Sequence, residues 1–291
     1  DFWVMIFNWY DHWIKDTTVQ TGSRVKYYLM GDCDDPDTTR WNRWVEADTW
    51  PPAGGQPRNY YLSAAGVLDT NPPAVPAACD SFVYDPSDPS PSYGGREYIG
   101  LAHGYGPIDQ NPVESRDDVL IYSTPVFSEP LAVAGKIRFR LYASSDRYDT
   151  DWSVRITDVY PDGRSILVTD NILMARHRRG FDRQDSLVPG QPDTFDVDVW
   201  STAHVLNSGH RLRVIISSSN YPRFEKNPNT GAPFLRDDPV YLTARQKIYR
   251  EAGLPSRLIL PVIATGNPVH EKLISPPAGT DFPAITVPTV A

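Results

Sequence analysis

DWSVRITDVYPDGRSILVTDNILMAR, residues 151–176, is the stretch on which the fold turns. Trp152, Val154 and Ile156 recur at every second position, which places all three on one face of an extended chain. Pro161, Asp162 and Gly163 follow. Proline fixes φ, aspartate hydrogen-bonds its own backbone and glycine accepts φ above zero, so the chain reverses here. Alternation resumes in SILVTDNILMAR, and a period of two on both sides of a tight turn predicts an antiparallel hairpin.

The same period spreads outward in both directions. KIRFRLYA (136–143) puts Ile137, Phe139, Leu141 and Ala143 on one face and Lys136, Arg138, Arg140 and Tyr142 on the other. Downstream, TFDVDVW and HRLRVIISSS predict two strands separated by STAHVLNSG, followed by QKIYR and SRLILPVI. Upstream lie RVKYYLM (24–30) and RNYYLS (58–63), with a short strand, SFVYDP, inside the Pro-, Asp-, Ser- and Gly-rich segment 69–95. Eight or so strands joined by proline- and glycine-rich turns predict a mostly β chain folded as a two-sheet jelly-roll sandwich. The Pro- and Thr-rich end, from about residue 265, predicts an irregular tail. No internal repeat is present.

Residues 2–15 break the pattern. Phe2, Ile6, Trp9 and Trp13 recur at three- and four-residue spacing with Asn8, Asp11, His12 and Lys15 opposite, which predicts a helix. Trp9 and Trp13 give it an aromatic face that must dock on something. The chain begins without an initiator Met and is already amphipathic, as if entered partway through.

Composition narrows the function classes. The 291 residues, 40% hydrophobic and 22% charged, suffice for a sizeable core. A net charge of −8 argues against a nucleic-acid partner, since no broad face could neutralise phosphates. Arg176, His177, Arg178 and Arg179 are expected at a solvated strand end. No apolar run is long enough to span a membrane, and no signal peptide is visible. Cys33 and Cys79 leave a disulfide and two free thiols equally open, so cytoplasmic and secreted locations both stand.

Chemistry is sparse. Ser217, Ser218 and Ser219 follow a strand, but Tyr221-Pro222 bars the helix that a nucleophile elbow requires, and no G-x-S-x-G occurs. His103, His177, His204, His210 and His270 show no zinc spacing and are expected as satisfied structural histidines. Asp32, Asp34, Asp35 and Asp37 lack the Gly and closing Glu of a calcium loop, so a solvated turn is expected. Asp149 with Asp151, and Asp196 with Asp198, could converge as acid pairs but are expected on outward faces. No catalytic residue and no metal site is assigned.

YLMG…W…ADTWPP, SFVYDPSDPSPSYGG, GPIDQNPVESRDDVLIYST, YASSDRYDTDWSVRITDVYPDGRSI, WSTAHVLNSGHRLRVIISSSNYPRFEKNPNTG and SRLILPVI follow one another in a fixed order. Together they resemble the C-terminal part of the cocaine esterase and X-Pro dipeptidyl-peptidase (CocE/NonD) family, which includes α-amino-acid ester hydrolases. The resemblance runs from about residue 9 to 263. It implies a jelly roll like galactose-binding modules over 21–291, and, over 1–20, the closing helix of an upstream α/β-hydrolase domain carrying the Ser-His-Asp triad. It implies ester or amide hydrolysis without metal or organic cofactor, the hydrolase domain as partner, and a possible homodimer. It places Tyr98, Ile99 and Leu101 at the substrate-pocket rim, and assigns the segment SSSNYPRFEKNPNTG (217–231) to the jelly roll rather than the triad. The residues agree, since the serine and Asn220 side chains can bond backbone groups as the chain turns and Pro222 and Pro228 fix the loop, which predicts a structural latch. The reading from a different class is a free-standing carbohydrate-binding module on the same scaffold.

Overall fold

The computed structural model describes residues 2–19, 21–35, 40–96, 103–232 and 240–263. The predicted tail and His270 lie outside the described residues. Two α-helices are present among the described residues, α1 (Phe2–Trp13) and the single turn α2 (Asn111–Glu114). The strands begin with β1 (Val25–Leu29), β2 (Arg43–Ala47), β3 (Gln56–Ser63), β4 (Val67–Asp69) and β5 (Cys79–Tyr84). They continue with β6 (Leu120–Ser123), β7 (Leu131–Ser145), β8 (Asp151–Val159), β9 (Ser165–Met174) and β10 (Asp193–Leu206). The last four are β11 (Arg211–Ser217), β12 (Ala244–Glu251), β13 (Leu254–Pro255) and β14 (Arg257–Ile263).

The predicted hairpin is β8–β9, paired antiparallel from Asp151↔Met174 to Val159↔Ser165 around the Pro-Asp-Gly turn. It continues the hydrogen-bonded path β9-β8-β11-β6, and a single parallel pairing, Val67↔Ser123, links β6 through β4 and β3 to β14, β7 and β12. The path doubles back on itself. Trp152, Val154 and Ile156 of β8, with Val214 and Ile216 of β11, bury against Ile137, Phe139 and Leu141 of β7 and Phe195 and Val197 of β10. The Trp152 and Phe195 rings meet at 5.5 Å across that interior. Each such side chain contributes on the order of 1.5–3 kcal/mol by leaving water. The result is the two-faced β-sandwich that the alternation predicts.

One element departs from the prediction. TFDVDVW and STAHVL are not a strand and a connection but one strand, β10, paired with β7 over its whole length. A bulge between Asp198 and Ser201 disguises the continuity, because an inserted residue shifts the period-two pattern by one. Beyond the bulge the alternate residues Ala203 and Val205 face outward from the main core. With Ala132 and Ala134 of β7 they form a second cluster, roofed by Leu29, Trp41 and Val45.

That roof is the β1–β2 hairpin, a separate two-stranded sheet. It is tied to β10 by backbone hydrogen bonds from Met30 N to the Ala203 carbonyl (3.0 Å) and from Val205 N to the Met30 carbonyl (2.9 Å). Gly31 is required beneath it, since a Cβ there would lie 2.6 Å from the Trp41 side chain. The helix predicted over 2–15 ends at Trp13, where Asp16 takes φ 52 and turns the chain away. Trp3, Phe7, Trp9, Tyr10 and Trp13 of α1 are all exposed, and at 3.6 residues per turn they share one broad side of the helix.

Candidate functional site

Every residue of β8 is buried, including Asp151, Ser153, Arg155 and Thr157 on the face away from the core. Two loops, one through residues 90–93 and one through 218–223, close over that face. Inside, Arg155 donates to the Pro91 carbonyl (2.8 Å), to Ser90 Oγ (3.2 Å) and to Asn220 Oδ1 (3.1 Å). Asn220 passes the interaction on, its Nδ2 donating to Asp170 Oδ2 at 2.7 Å, and Arg223 pairs with Asp170 Oδ1 at 2.5 Å. Burial pulls the Arg155 guanidinium down to about 10, against the opposing pull of the Asp170 and Asp118 carboxylates, so it stays charged at neutral pH. Its countercharge reaches it through an amide rather than by direct contact.

Residues 217–220 are therefore a latch. Ser217 Oγ donates to the Ser219 carbonyl, the Ser90 amide donates to Ser219 Oγ, and Ser92 Oγ donates to Asn220 Oδ1. All three serines are buried, and none of their hydrogen-bond partners among the described residues is an imidazole. They hold loops together.

A second polar cluster corrects two expectations. Asp149 and Asp151 are not on an outward face; both are buried, and Asn227 Nδ2 donates to each at 2.8 Å. Arg176 is not at a solvated strand end; it is buried and pairs with Asp149 through Nε at 2.8 Å. Arg178 likewise turns inward, onto Asp193 and the Ala175 carbonyl. Burial pushes the Asp151 carboxyl up to about 7, the Asn227 hydrogen bond opposing and the neighbouring Asp149 adding to the rise. Asp196 and Asp198 do face solvent as expected, paired with Arg140 and Lys136.

The third cluster corrects the acidic turn. Asp34 is exposed, but Asp32 is buried, accepting from Asn207 Nδ2 at 3.0 Å and facing His210 Nε2 at 3.4 Å. His210 Nδ1 donates to Asp158 Oδ1 at 2.8 Å and His204 Nε2 to Asp158 Oδ2 at 3.1 Å. Burial works against charge on His210, but Asp158 and Asp32 outweigh it and the net shift is upward. Burial also opposes charge on Asp158, and the two imidazoles outweigh it, so its net shift is downward. Both histidines are satisfied structural residues, and they clamp the chain after β1 to the ends of β8 and β10.

Among the described residues no three His, Cys, Asp or Glu side chains are arranged to hold a metal ion. Cys33 and Cys79 are both free thiols. A cleft of about 450 Å³ near Asp85, Asp88, Asp117 and Asp118 is occupied at its wall by Arg116, whose Nε reaches Asp118 at 2.7 Å. Tyr98, Ile99 and Leu101 lie outside the described residues. Trp9 and Trp13 are 51% and 65% exposed, with no part in any of the three clusters.

Comparison with known proteins follows the same outline. Residues 17–259 match the X-Pro dipeptidyl-peptidase C-terminal non-catalytic domain. The cocaine esterase of Rhodococcus sp. (strain MB1 Bresler) is 36% identical over 241 residues, 82% of this chain and 42% of that protein. An aminopeptidase structure from the marine sediment archaeon Thaumarchaeota archaeon superposes with a TM-score of 0.76 at 30% identity, covering 89% of this chain and 43% of that one. An α-amino acid ester hydrolase structure superposes with a TM-score of 0.75 at 28% identity, covering 88% and 44%. The chain thus spans about two fifths of the length of the curated relatives it matches. It belongs, over residues 17–259, to the X-Pro dipeptidyl-peptidase C-terminal non-catalytic domain family of the CocE/NonD-type hydrolases.

Proposed function

We propose that this chain is the non-catalytic β-sandwich of a serine hydrolase that cleaves esters or amides, attached to an α/β-hydrolase domain on its N-terminal side. The catalytic domain supplies the serine, histidine and aspartate of an acyl-enzyme mechanism; the sandwich shapes the mouth of the active site. The observation that carries this reading is α1. Five large aromatic side chains stand exposed on twelve residues, a surface that soluble proteins cover with a partner domain. Trp9 and Trp13 are placed in that interface, and Tyr98, Ile99 and Leu101 at the pocket rim. A free-standing carbohydrate-binding module would leave the aromatic surface of α1 without a purpose.

The test compares two polypeptides, the 291 residues alone and the same residues with the preceding reading frame. The longer one should hydrolyse 4-nitrophenyl esters or aminoacyl 4-nitroanilides, and the shorter one should hydrolyse neither. Turnover by the shorter polypeptide that disappears on replacing one of its own serines would refute the proposal.

A further inference from the structure

The sheet face turned away from the main core carries an ordered ladder of charge. Cross-strand register fixes its rows, because residues directly opposite one another on neighbouring strands share a face. Asp196 of β10, Arg140 of β7, Arg257 of β14 and Tyr61 of β3 form one row. Asp198, Arg138, Ile259 and Asn59 form the next. Between these rows Val197, Phe139, Leu258 and Tyr60 point the other way and are buried. The ladder continues with Ser201 opposite Lys136 at one end and Thr194 opposite Tyr142 at the other. Rows lie about 7 Å apart and strands about 4.8 Å apart, so charge repeats in two directions on one surface.

Lys136, Arg138, Arg140 and Arg257 stand here against Asp196 and Asp198, a cationic excess on a chain whose net charge is −8. Arg140 holds Asp196 by both arms, Nε to Oδ1 at 2.7 Å and Nη2 to Oδ2 at 2.9 Å. Lys136 reaches Asp198 at 2.6 Å. Both signs remain in water, the Lys136 side chain 48% exposed and that of Asp196 52%. Arg138 is exposed, and Arg257 meets the Pro255 carbonyl at 3.2 Å and the Tyr61 ring at 5.9 Å. Neither pairs with a carboxylate among the described residues.

This arrangement discriminates among ligands. A protein partner brings an apolar centre to its interface, and here Ile259 stands among charges. A nucleic-acid backbone is anionic throughout, and Asp196 and Asp198 repel it. A polymer with a carboxylate and several hydroxyls on each unit satisfies both signs. Arg138 and Arg257 donate to its carboxylates, Asp196 and Asp198 accept from its hydroxyls, and Tyr61 and Tyr142 flank them.

We infer that the outward face of β10, β7, β14 and β3 binds an extended polysaccharide of uronic acid units. This goes beyond the hydrolase reading and requires no turnover. The sandwich holds the protein on an acidic glycan whichever bond the attached domain cleaves.

The experiment follows binding by the full-length polypeptide in affinity electrophoresis and titration calorimetry. The probes are polygalacturonate, the same polymer with its carboxyls methyl-esterified, poly-L-glutamate and a DNA duplex. Polygalacturonate should bind. Esterification removes charge and keeps hydroxyls, poly-L-glutamate keeps charge and lacks hydroxyls, and each should bind about tenfold more weakly. Arg138→Ala and Arg257→Ala should each weaken polygalacturonate binding about tenfold, and added salt should weaken it further. Asp196→Ala separates recognition from bulk attraction. It removes a negative charge, so a merely cationic face would bind more tightly, whereas this site loses a hydroxyl acceptor and should bind about tenfold more weakly. Arg138→Met keeps the length of the side chain and carries the same expectation should Arg138→Ala fold poorly. No binding of polygalacturonate, equal binding of poly-L-glutamate or DNA, tighter binding by Asp196→Ala, or unchanged binding in the Arg138 and Arg257 variants overturns the inference. Each of these results leaves the hydrolase reading intact.

Discussion

Asp151→Asn should make the chain more stable at pH 8 and leave it nearly unchanged at pH 4. The Asp151 carboxyl is buried beside Asp149 with one donor, Asn227 Nδ2. Burial raises it from 3.8 to about 7, so between those values the folded chain holds a proton that the unfolded chain has released. Stability then falls as pH rises through that window and levels off above about 7. A rise of that size corresponds to about 4 kcal/mol at alkaline pH, an upper figure since neighbouring groups relax. Asparagine imitates the neutral carboxyl, keeps an oxygen facing Asn227 and removes the penalty. Urea unfolding of both chains, followed by tryptophan fluorescence from pH 4 to pH 8, gives two curves whose difference isolates Asp151. The difference should be near zero at pH 4 and grow by about 2–4 kcal/mol in favour of the variant by pH 8. Parallel curves, or a variant that gains nothing at pH 8, would refute the argument that a buried, mostly neutral carboxyl sits at this position.

Three other outcomes are expected. Asn220→Ala breaks the relay between Arg155 and Asp170, leaves two buried charges short of partners and should cost about 2–4 kcal/mol in urea unfolding; a cost below about 1 kcal/mol would mean the latch is dispensable. His210 contributes stability that is complete below its ordinary value of 6.5 and is lost as pH climbs through its raised folded value. Amide exchange of β1 should therefore accelerate above pH 6.5 beyond the intrinsic base-catalysed rise in the native chain but not in His210→Gln, and identical profiles would count against the clamp. Trp9→Ala with Trp13→Ala should loosen the full-length protein, seen as faster proteolysis between α1 and β1, while changing the stability of the sandwich alone by no more than about 0.5 kcal/mol. An equal loss in the shorter chain would place those tryptophans in the sandwich's own core.

The strands were legible wherever one face is buried and the period is unbroken. Ile137, Phe139 and Leu141 on β7, and Trp152, Val154 and Ile156 on β8, bury as their alternation implies. Legibility fails where burial comes from a distant loop. Ser153, Arg155 and Thr157 have the composition of a solvent face, yet all three are buried, and the loops at 90–93 and 218–223 supply the partners of Arg155. Asp149 and Asp151 mislead for the same reason, since their partners Arg176 and Asn227 are remote in sequence. The alternation splits β10 in two because the Trp200 bulge shifts the apolar register, a signal visible as a change of phase but not separable from a turn. The clamp of Asp32, Asp158, His204 and His210 draws on three separate segments and follows no metal spacing. The latch is the exception, because Tyr221-Pro222 after three serines excludes a helix and leaves a loop-binding role.

The most direct test of the account is to label the protein, in the organism that makes it, with an alkyl fluorophosphonate and measure its intact mass and the site of label. A serine hydrolase carrying this sandwich should appear well above 32.7 kDa, with the phosphonyl group on a serine outside these 291 residues. A polypeptide of 32.7 kDa, or a label on any serine within the sequence, would contradict the claim that this chain is the non-catalytic part of a larger enzyme.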